Sequence, residues 1–328
     1  MVSLTEVKSS NSRISSTLPP ELVAVFVGAT SGIGEVTLKT CAKYATRPRV
    51  YFVGRSQEAA DRIVAECKAL NPGGEYIFLR ADVSLIRVVD RVCEQIKAKE
   101  NNLNLLFLST GVVSLDRSQT SEGVHLLAAL TYYSRVRFIA HLLPLLRRAP
   151  SLRRVVTVLR GSLEGPLDPG DLPGLRVPLL ELRSHIASLM TLGLESVAKM
   201  APEVSFVHDY PGSVDTPLFR QMSSIFGVSN NAPMVPIEES GERHLYLATS
   251  ARFPPKKGSS AAVPLQVGAD IAVGTTGEVG SGVYSVGHDC ESGSSDVLSL
   301  LADLREKGMV EEVWNHTDGE FRRICGST

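Results

Sequence analysis

The chain has 328 residues, 43% of them hydrophobic and 21% charged, with 34 Lys and Arg against 35 Asp and Glu. That supplies apolar material for a large core, and the near-neutral balance, with no basic patch, argues against nucleic acid or an anionic membrane as partner. Five scattered cysteines, Cys41, Cys67, Cys93, Cys290 and Cys325, without ligand spacing point to a reducing compartment and no metal.

Residues 1 to 20 form an N-terminal arm rich in Ser, Thr and Pro. It lacks an apolar segment of the secretory type, so a cytoplasmic location is expected. From residue 21 to 250, short apolar runs alternate with segments of helical period. The runs are Leu22 to Val27, Arg49 to Val53, Tyr76 to Arg80, Leu103 to Leu108, Arg154 to Leu159 and Val204 to His208. Between them lie helix candidates near 33–45, 57–70, 84–99, 120–147 and 178–200. This order predicts an α/β fold with a doubly wound parallel sheet of the Rossmann type and helices on both faces. The cluster Arg147, Arg148, Arg153 and Arg154 is expected to be a solvated helix end and strand entry. The apolar patch from Phe138 to Leu146 is broken by His141 and Pro144 and is too short to span a bilayer.

Residues 218 to 235 lack a period and are expected to be a loop or short helices over a ligand site. A helix follows near 236–250. The remainder, 251 to 328, is expected to be a C-terminal extension packed on the same domain. It comprises loop and hairpin to 281, a strand near 282–286, and helices near 295–307 and 309–324.

The first run leads into Gly28-Ala-Thr30-Ser31-Gly32-Ile33-Gly34 and then a helix. Glycines in that context let the backbone approach a pyrophosphate, whose charge the helix N-terminus stabilises. About twenty residues on, the second run ends at Arg55-Ser56, with no Asp or Glu for a ribose 2′-hydroxyl. A guanidinium suits a 2′-phosphate, so NADP(H) is expected rather than NAD(H).

This glycine spacing resembles that of the short-chain dehydrogenase/reductase family, over roughly residues 20 to 250. The resemblance implies further cofactor contacts: Asp82 and Val83 after the third strand at the adenine, Gly111 in Ser109-Thr-Gly after the fourth, and Pro211-Gly212 beside the nicotinamide, with Thr216 reaching a phosphate. It also implies a small-molecule substrate and a homodimer through the fourth and fifth helices. The pattern is similar to divergent fungal members, many attached to secondary metabolism.

The family's Tyr-x-x-x-Lys pair has no counterpart here. There is no Tyr between Tyr133 and Tyr210 and no Lys between Lys99 and Lys199. Carbonyl chemistry still needs a polariser and a proton donor. Arg160 stands where the resemblance places the family's Ser, with Ser162 two residues on, and Thr131 stands for its helix Asn. On the fifth helix Glu181, Ser184, His185 and Ser188 share one face, and His185 titrates nearest neutrality. Arg160 or Arg135 is suited to polarise a carbonyl or hold a carboxylate. Tyr132 and Tyr133 are expected to pack, and Glu164 and Asp168 to be solvated turn formers. Three readings stay open: an NADP(H)-dependent oxidoreductase on a carbonyl or alcohol of a largely apolar metabolite; a non-redox isomerase, dehydratase or cyclase; and a dinucleotide-sensing binding protein.

Overall fold

The computed structural model describes residues 1–114, 116–226, 234–258 and 261–326. The arm folds into helices α1 (Leu4–Ser12) and α2 (Ile14–Thr17). Then follow β1 (Val23–Val27), α3 (Gly32–Tyr44), β2 (Arg49–Gly54), α4 (Gln57–Leu70), β3 (Glu75–Arg80), α5 (Ile86–Lys97) and β4 (Leu105–Leu108). A short α6 (Leu126–Ala128) passes through a π-helical turn (Ala129–Tyr133) into α7 (Ser134–Arg148), which leads to β5 (Arg154–Val158), α8 (Leu179–Met200) and β6 (Ser205–Asp209). The chain continues with β7 (Ser213–Val214), α9 (Pro217–Phe226), β8 (Met234–Val235), α10 (Ile237–Thr249), β9 (Val283–Val286), α11 (Ser295–Glu306) and α12 (Met309–Cys325).

Seven strands make one sheet in the order β3-β2-β1-β4-β5-β6-β9, every neighbour pair parallel. Covered on both sides, β1, β4, β5, β6 and β9 bury every residue, while the edge strand β3 stays partly open. In β1, Val23, Val25 and Val27 enter the core shared with α5, α7, α8, α11 and α12, while Ala24 and Phe26 enter the one shared with α1, α3, α4 and α10. The winding reverses between β1 and β4, and that switch point opens a crevice at the C-terminal ends of the strands.

The arm is built rather than loose. Ser3 and Glu6 close a capping box at the start of α1, and Asn11 donates to the Glu242 carbonyl at 2.9 Å and to its carboxylate at 2.7 Å, pinning α1 to α10. At the other end of the chain, α12 lies along α8. The hydroxyls of Tyr132 and Tyr133 pair with Thr317 Oγ1 (2.6 Å) and His316 Nε2 (2.7 Å), and Ser196 donates to the Val310 carbonyl at 2.8 Å. Arg137 stacks 4.9 Å over the Phe321 ring. Much of the α7 and α8 surface that the family resemblance would use for pairing is thus covered by the chain's own C-terminal helix.

Three expectations need correction. Arg154 is not solvated: it is fully buried and donates to the carbonyls of Leu247 (2.5 Å) and Ser250 (3.0 Å). Glu164 is buried, as detailed below. Residues 251–281 carry isolated bridges such as Val273 with Val279, with no hairpin strands among the described residues. Of the loop or short helices expected at 218–235, the first part is helix α9; residues 227–233 lie outside the described residues. No described helix is long and apolar enough to cross a membrane.

Candidate active site

A cleft of about 830 Å³ occupies the switch point. Its floor is the loop from β1 into α3, where Gly28 takes φ +86°, a conformation that side chains disfavour. A Cβ on Gly28 would lie 2.7 Å from the Thr110 backbone nitrogen, and one on Gly34 would lie 2.6 Å from the Gly28 carbonyl oxygen. Only glycine lets the loop pack this closely on itself and on the segment after β4, and the packed loop sets the N-terminus of α3 at the cleft wall.

Gly28, Thr30, Ser31, Gly32, Ile33, Gly34, Arg55, Asp82, Val83, Gly111, Pro211, Gly212 and Thr216 all line this one cleft. Arg55 is exposed at the end of β2, and among the described residues its guanidinium makes no hydrogen bond. Asp82 Oδ1 accepts from the backbone and hydroxyl of Ser84, which fixes the turn after β3. Thr216 Oγ1 accepts from the Phe219 backbone at 3.1 Å and so caps α9. Ser56 does not line the cleft; its hydroxyl caps α4 by accepting from Ala59 at 3.2 Å.

At the other end, the candidate catalytic residues separate. Thr131, Arg135 and Arg160 line the cleft; Ser162 and His185 do not. His185 is fully buried, its Nδ1 accepting from the Asp168 backbone (3.3 Å) and its Nε2 donating to the Leu172 carbonyl (3.1 Å). Burial pushes its ionisation below the ordinary imidazole value, against the opposing Leu172 bond. With Ser188, which donates to the Gly165 carbonyl at 2.5 Å, it anchors the 164–172 loop. The polar stripe of α8 therefore faces a loop, not the cleft. Ser162, with φ +67°, donates its backbone N–H to Ser285 Oγ at 2.6 Å.

Thr131 lies in the π-helical turn and donates to the Leu127 carbonyl at 2.6 Å. Such turns recur at functional sites. Arg135 is consumed by structure: it donates to the carbonyls of Leu130, Val158 and Thr110 and to Thr157 Oγ1, tying α7 to the ends of β4 and β5. Burial pushes its ionisation down to about 9, against the favourable field of Asp209.

Arg160 differs. Its backbone N–H donates to His208 Nε2 at 3.2 Å, its side chain lines the cleft, and its buried Nε has no partner among the described residues. That contact leaves the imidazole proton on His208 Nδ1, which donates to Thr191 Oγ1 (2.8 Å); Thr191 donates on to Glu164 Oε1 at 2.6 Å. Ser285 donates to the same oxygen at 2.5 Å. Burial raises the Glu164 carboxyl, but His208, followed by the Ser285 and Thr191 bonds, outweighs it and holds it below the usual carboxylate range. This chain of bonds fixes the strand end that presents Arg160.

Two lining residues carry no motif of their own. Arg183, one turn into α8, shares a helix face with Ile186 and donates to Met222 Sδ at 2.7 Å. Tyr210 immediately precedes Pro211-Gly212, and that adjacency is the signal by which it was findable. Burial lowers the ionisation of both Arg160 and Arg183; the positive charge of Arg160 lowers Arg183 further, and Tyr210 opposes the shift in each. The three polar groups therefore share one electrostatic neighbourhood.

The model of the short chain dehydrogenase family matches residues 22–158. An oxidoreductase of Emericella nidulans is 40% identical, covering 97% of this chain and 97% of its own. The short-chain dehydrogenase/reductase SAT2 of Stachybotrys chartarum is 32% identical, covering 90% of each chain. Among solved structures, L-sorbose reductase from Gluconobacter frateurii, complexed with NADPH and L-sorbose, has a TM-score of 0.55 at 16% identity, covering 77% of this chain and 97% of that one, a likeness of fold. Sequence relatives, sheet order and the glycine loop agree: the chain belongs to the short-chain dehydrogenase/reductase family.

Proposed function

We propose that the protein is an NADP(H)-dependent oxidoreductase acting on a carbonyl, or the matching alcohol, of a small and largely apolar metabolite, with an active site other than the family's Tyr-Lys set. The observation that supports this most is the cleft itself, whose wall is the Gly28 to Gly34 loop at the N-terminus of α3. Thr30, Ser31, Gly32, Ile33 and Thr216 would hold the pyrophosphate, Asp82, Val83 and Gly111 the adenosine side, Pro211 and Gly212 the nicotinamide side. Arg55 would hold the 2′-phosphate through its fork of donors. When bound, such a cofactor supplies or accepts hydride at the carbonyl carbon.

The chain's own residues must then manage the oxygen. Tyr210 is the one phenol lining the cleft among the described residues, and it sits beside the Pro211-Gly212 segment. In our reading it gives the proton to the carbonyl oxygen, with the charge left on the phenol facing Arg160 and Arg183. The apolar wall of Leu126, Leu127, Leu130, Ile186, Leu218 and Phe219 favours a ligand with an apolar body.

The loss of the Tyr-Lys pair also supports a second reading, in which the dinucleotide binds but does not turn over and the pocket serves non-redox chemistry or sensing. The test is binding of NADPH and NADH to wild type and Arg55→Ala, with turnover followed in Tyr210→Phe. Our reading expects Arg55→Ala to weaken NADPH by about tenfold or more, the worth of a charge-assisted contact, and to leave NADH unchanged; Tyr210→Phe should bind NADPH normally but lose turnover. Equal effects on both cofactors would refute the 2′-phosphate assignment, and full turnover in Tyr210→Phe would refute the proton donor.

A further inference from the structure

We propose that His288, on the turn that follows β9, is a positioning residue whose ring holds the Tyr210 phenol in the pose from which its proton leaves. This rests on the reading above that makes Tyr210 the proton donor.

Tyr210 stands one residue past the end of β6 and is half-buried. Its backbone N–H donates to the Val286 carbonyl at 2.9 Å, which fixes the start of the side chain but not the direction of its ring. Tyr210 lines the cleft and His288 does not. The imidazole lies outside the cleft with its centroid 6.5 Å from that of the phenol and its plane at 82° to it. Perpendicular rings attract at that separation, so the contact favours one setting of the phenol over others.

The same side chain steadies the backbone that follows. Gly212 takes φ +76°, and a Cβ on it would lie 3.1 Å from His288 Cβ and 3.0 Å from Val235 Cγ2. His288 therefore packs against both the phenol and the Pro211-Gly212 segment, which the proposed function places at the nicotinamide.

The turn that carries His288 is closed by its own bonds. Gly287 N–H donates to the Glu291 carbonyl and Cys290 N–H to the Gly287 carbonyl, each at 2.9 Å, and Glu291 N–H donates to Asp289 Oδ1 at 3.1 Å. Val286 and Ser292 bridge antiparallel at its base. Cys290 takes φ +63°, a conformation that side chains disfavour. The Asp289 carbonyl also accepts from Val2 N–H at 3.1 Å, which ties the turn to the N-terminal arm. His288 itself is exposed, so its ring adds little to the core; what its placement changes is Tyr210. A donor misplaced by about 1 Å slows the reaction while ligands still bind, and the effect belongs in kcat.

Two variants of the full chain test this. His288→Ala removes the ring but keeps the Cβ against Gly212, and His288→Phe keeps a ring edge on the phenol. In NMR spectra of protein carrying [ε-13C]tyrosine, the Tyr210 signal is identified by its loss in Tyr210→Phe. His288→Ala should shift that signal and leave the other tyrosines in place, and His288→Phe should shift it less. In NADPH oxidation with 2-nonanone and 4-phenyl-2-butanone, His288→Ala should lower kcat about fivefold or more, with KM and NADPH affinity within twofold. His288→Phe should recover at least half of the kcat. A Tyr210 signal that His288→Ala leaves in place overturns the proposal, as does loss of NADPH affinity by the same factor as kcat. Full kcat in His288→Ala while Tyr210→Phe is inactive also overturns it and leaves Tyr210 the donor. Full kcat in Tyr210→Phe overturns the donor reading, and this one with it. Where neither ketone is reduced, the spectra alone decide.

Discussion

Replacing Glu164 by Gln tests whether the bond chain behind Arg160 is held by charge. The exchange keeps the side chain's shape, so the loss is electrostatic. Glu164 Oε1 accepts from Thr191 at 2.6 Å and Ser285 at 2.5 Å, while Oε2 is buried without a partner. In Glu164→Gln the two bonds to a charged acceptor become neutral ones, and the amide nitrogen, placed at the Oε2 position, is a buried donor with nothing to receive it. Together these cost about 3 kcal/mol at pH 7. The folded carboxyl sits below its ordinary value, so its contribution is fully present above the unfolded pKa, about 4.3, and disappears as pH falls through the folded value. Urea unfolding of both proteins at pH 7 and at successively lower pH should show a gap that closes on acidification. A gap under about 1 kcal/mol at pH 7, or one that stays constant with pH, would refute the argument.

Other consequences follow from the same geometry. Because His185 satisfies Asp168 N–H and the Leu172 carbonyl, His185→Ala should destabilise by about 2–4 kcal/mol in urea melts with NADPH affinity intact; unchanged stability with lost turnover would return it to the chemistry. His244 Nε2 lies 3.0 Å from Asp209 Oδ2, and although burial opposes its charge, the Asp209 carboxylate and the Ser240 carbonyl raise its ionisation above the usual imidazole value. Its contribution is therefore full below the unfolded pKa of about 6.5 and lost as pH rises through the folded value; a stability difference between wild type and His244→Asn that does not shrink toward alkaline pH would contradict this. With α12 laid over α8, the chain should be a monomer by light scattering, and a stable dimer that charged substitutions on α7 or α8 dissociate would show that this face is still used.

The strands and helices were legible because double burial writes strands such as β1 and β4 as apolar runs and each crossover shows a helical period. Gly28 to Gly34 was legible because its turn needs a positive φ and a close approach of backbone to backbone that only glycine permits. What sequence order hides is which polar residues turn inward. Arg154 looks like its neighbours Arg147 and Arg153, yet two carbonyls at the end of α10, distant in sequence, draw it into the core. Glu164 sits among Gly and Pro as a turn former would, but Ser285 on β9 reaches it across the sheet. His185 shares a polar face with Ser188, and that face meets a long loop whose backbone needs partners. Arg183 stands two residues before His185 on the same helix and so points the other way, into the cleft. The capping box of Ser3 and Glu6 was within reach of pattern reading, because the spacing alone announces it.

The most direct measurement is calorimetric titration of NADPH and NADH into the protein, followed in the same sample by single-turnover absorbance with a panel of apolar ketones that includes keto acids. The account predicts that NADPH binds tenfold or more tighter than NADH and that a ketone of the panel oxidises it. Binding of neither dinucleotide, or a preference for NADH, would contradict it.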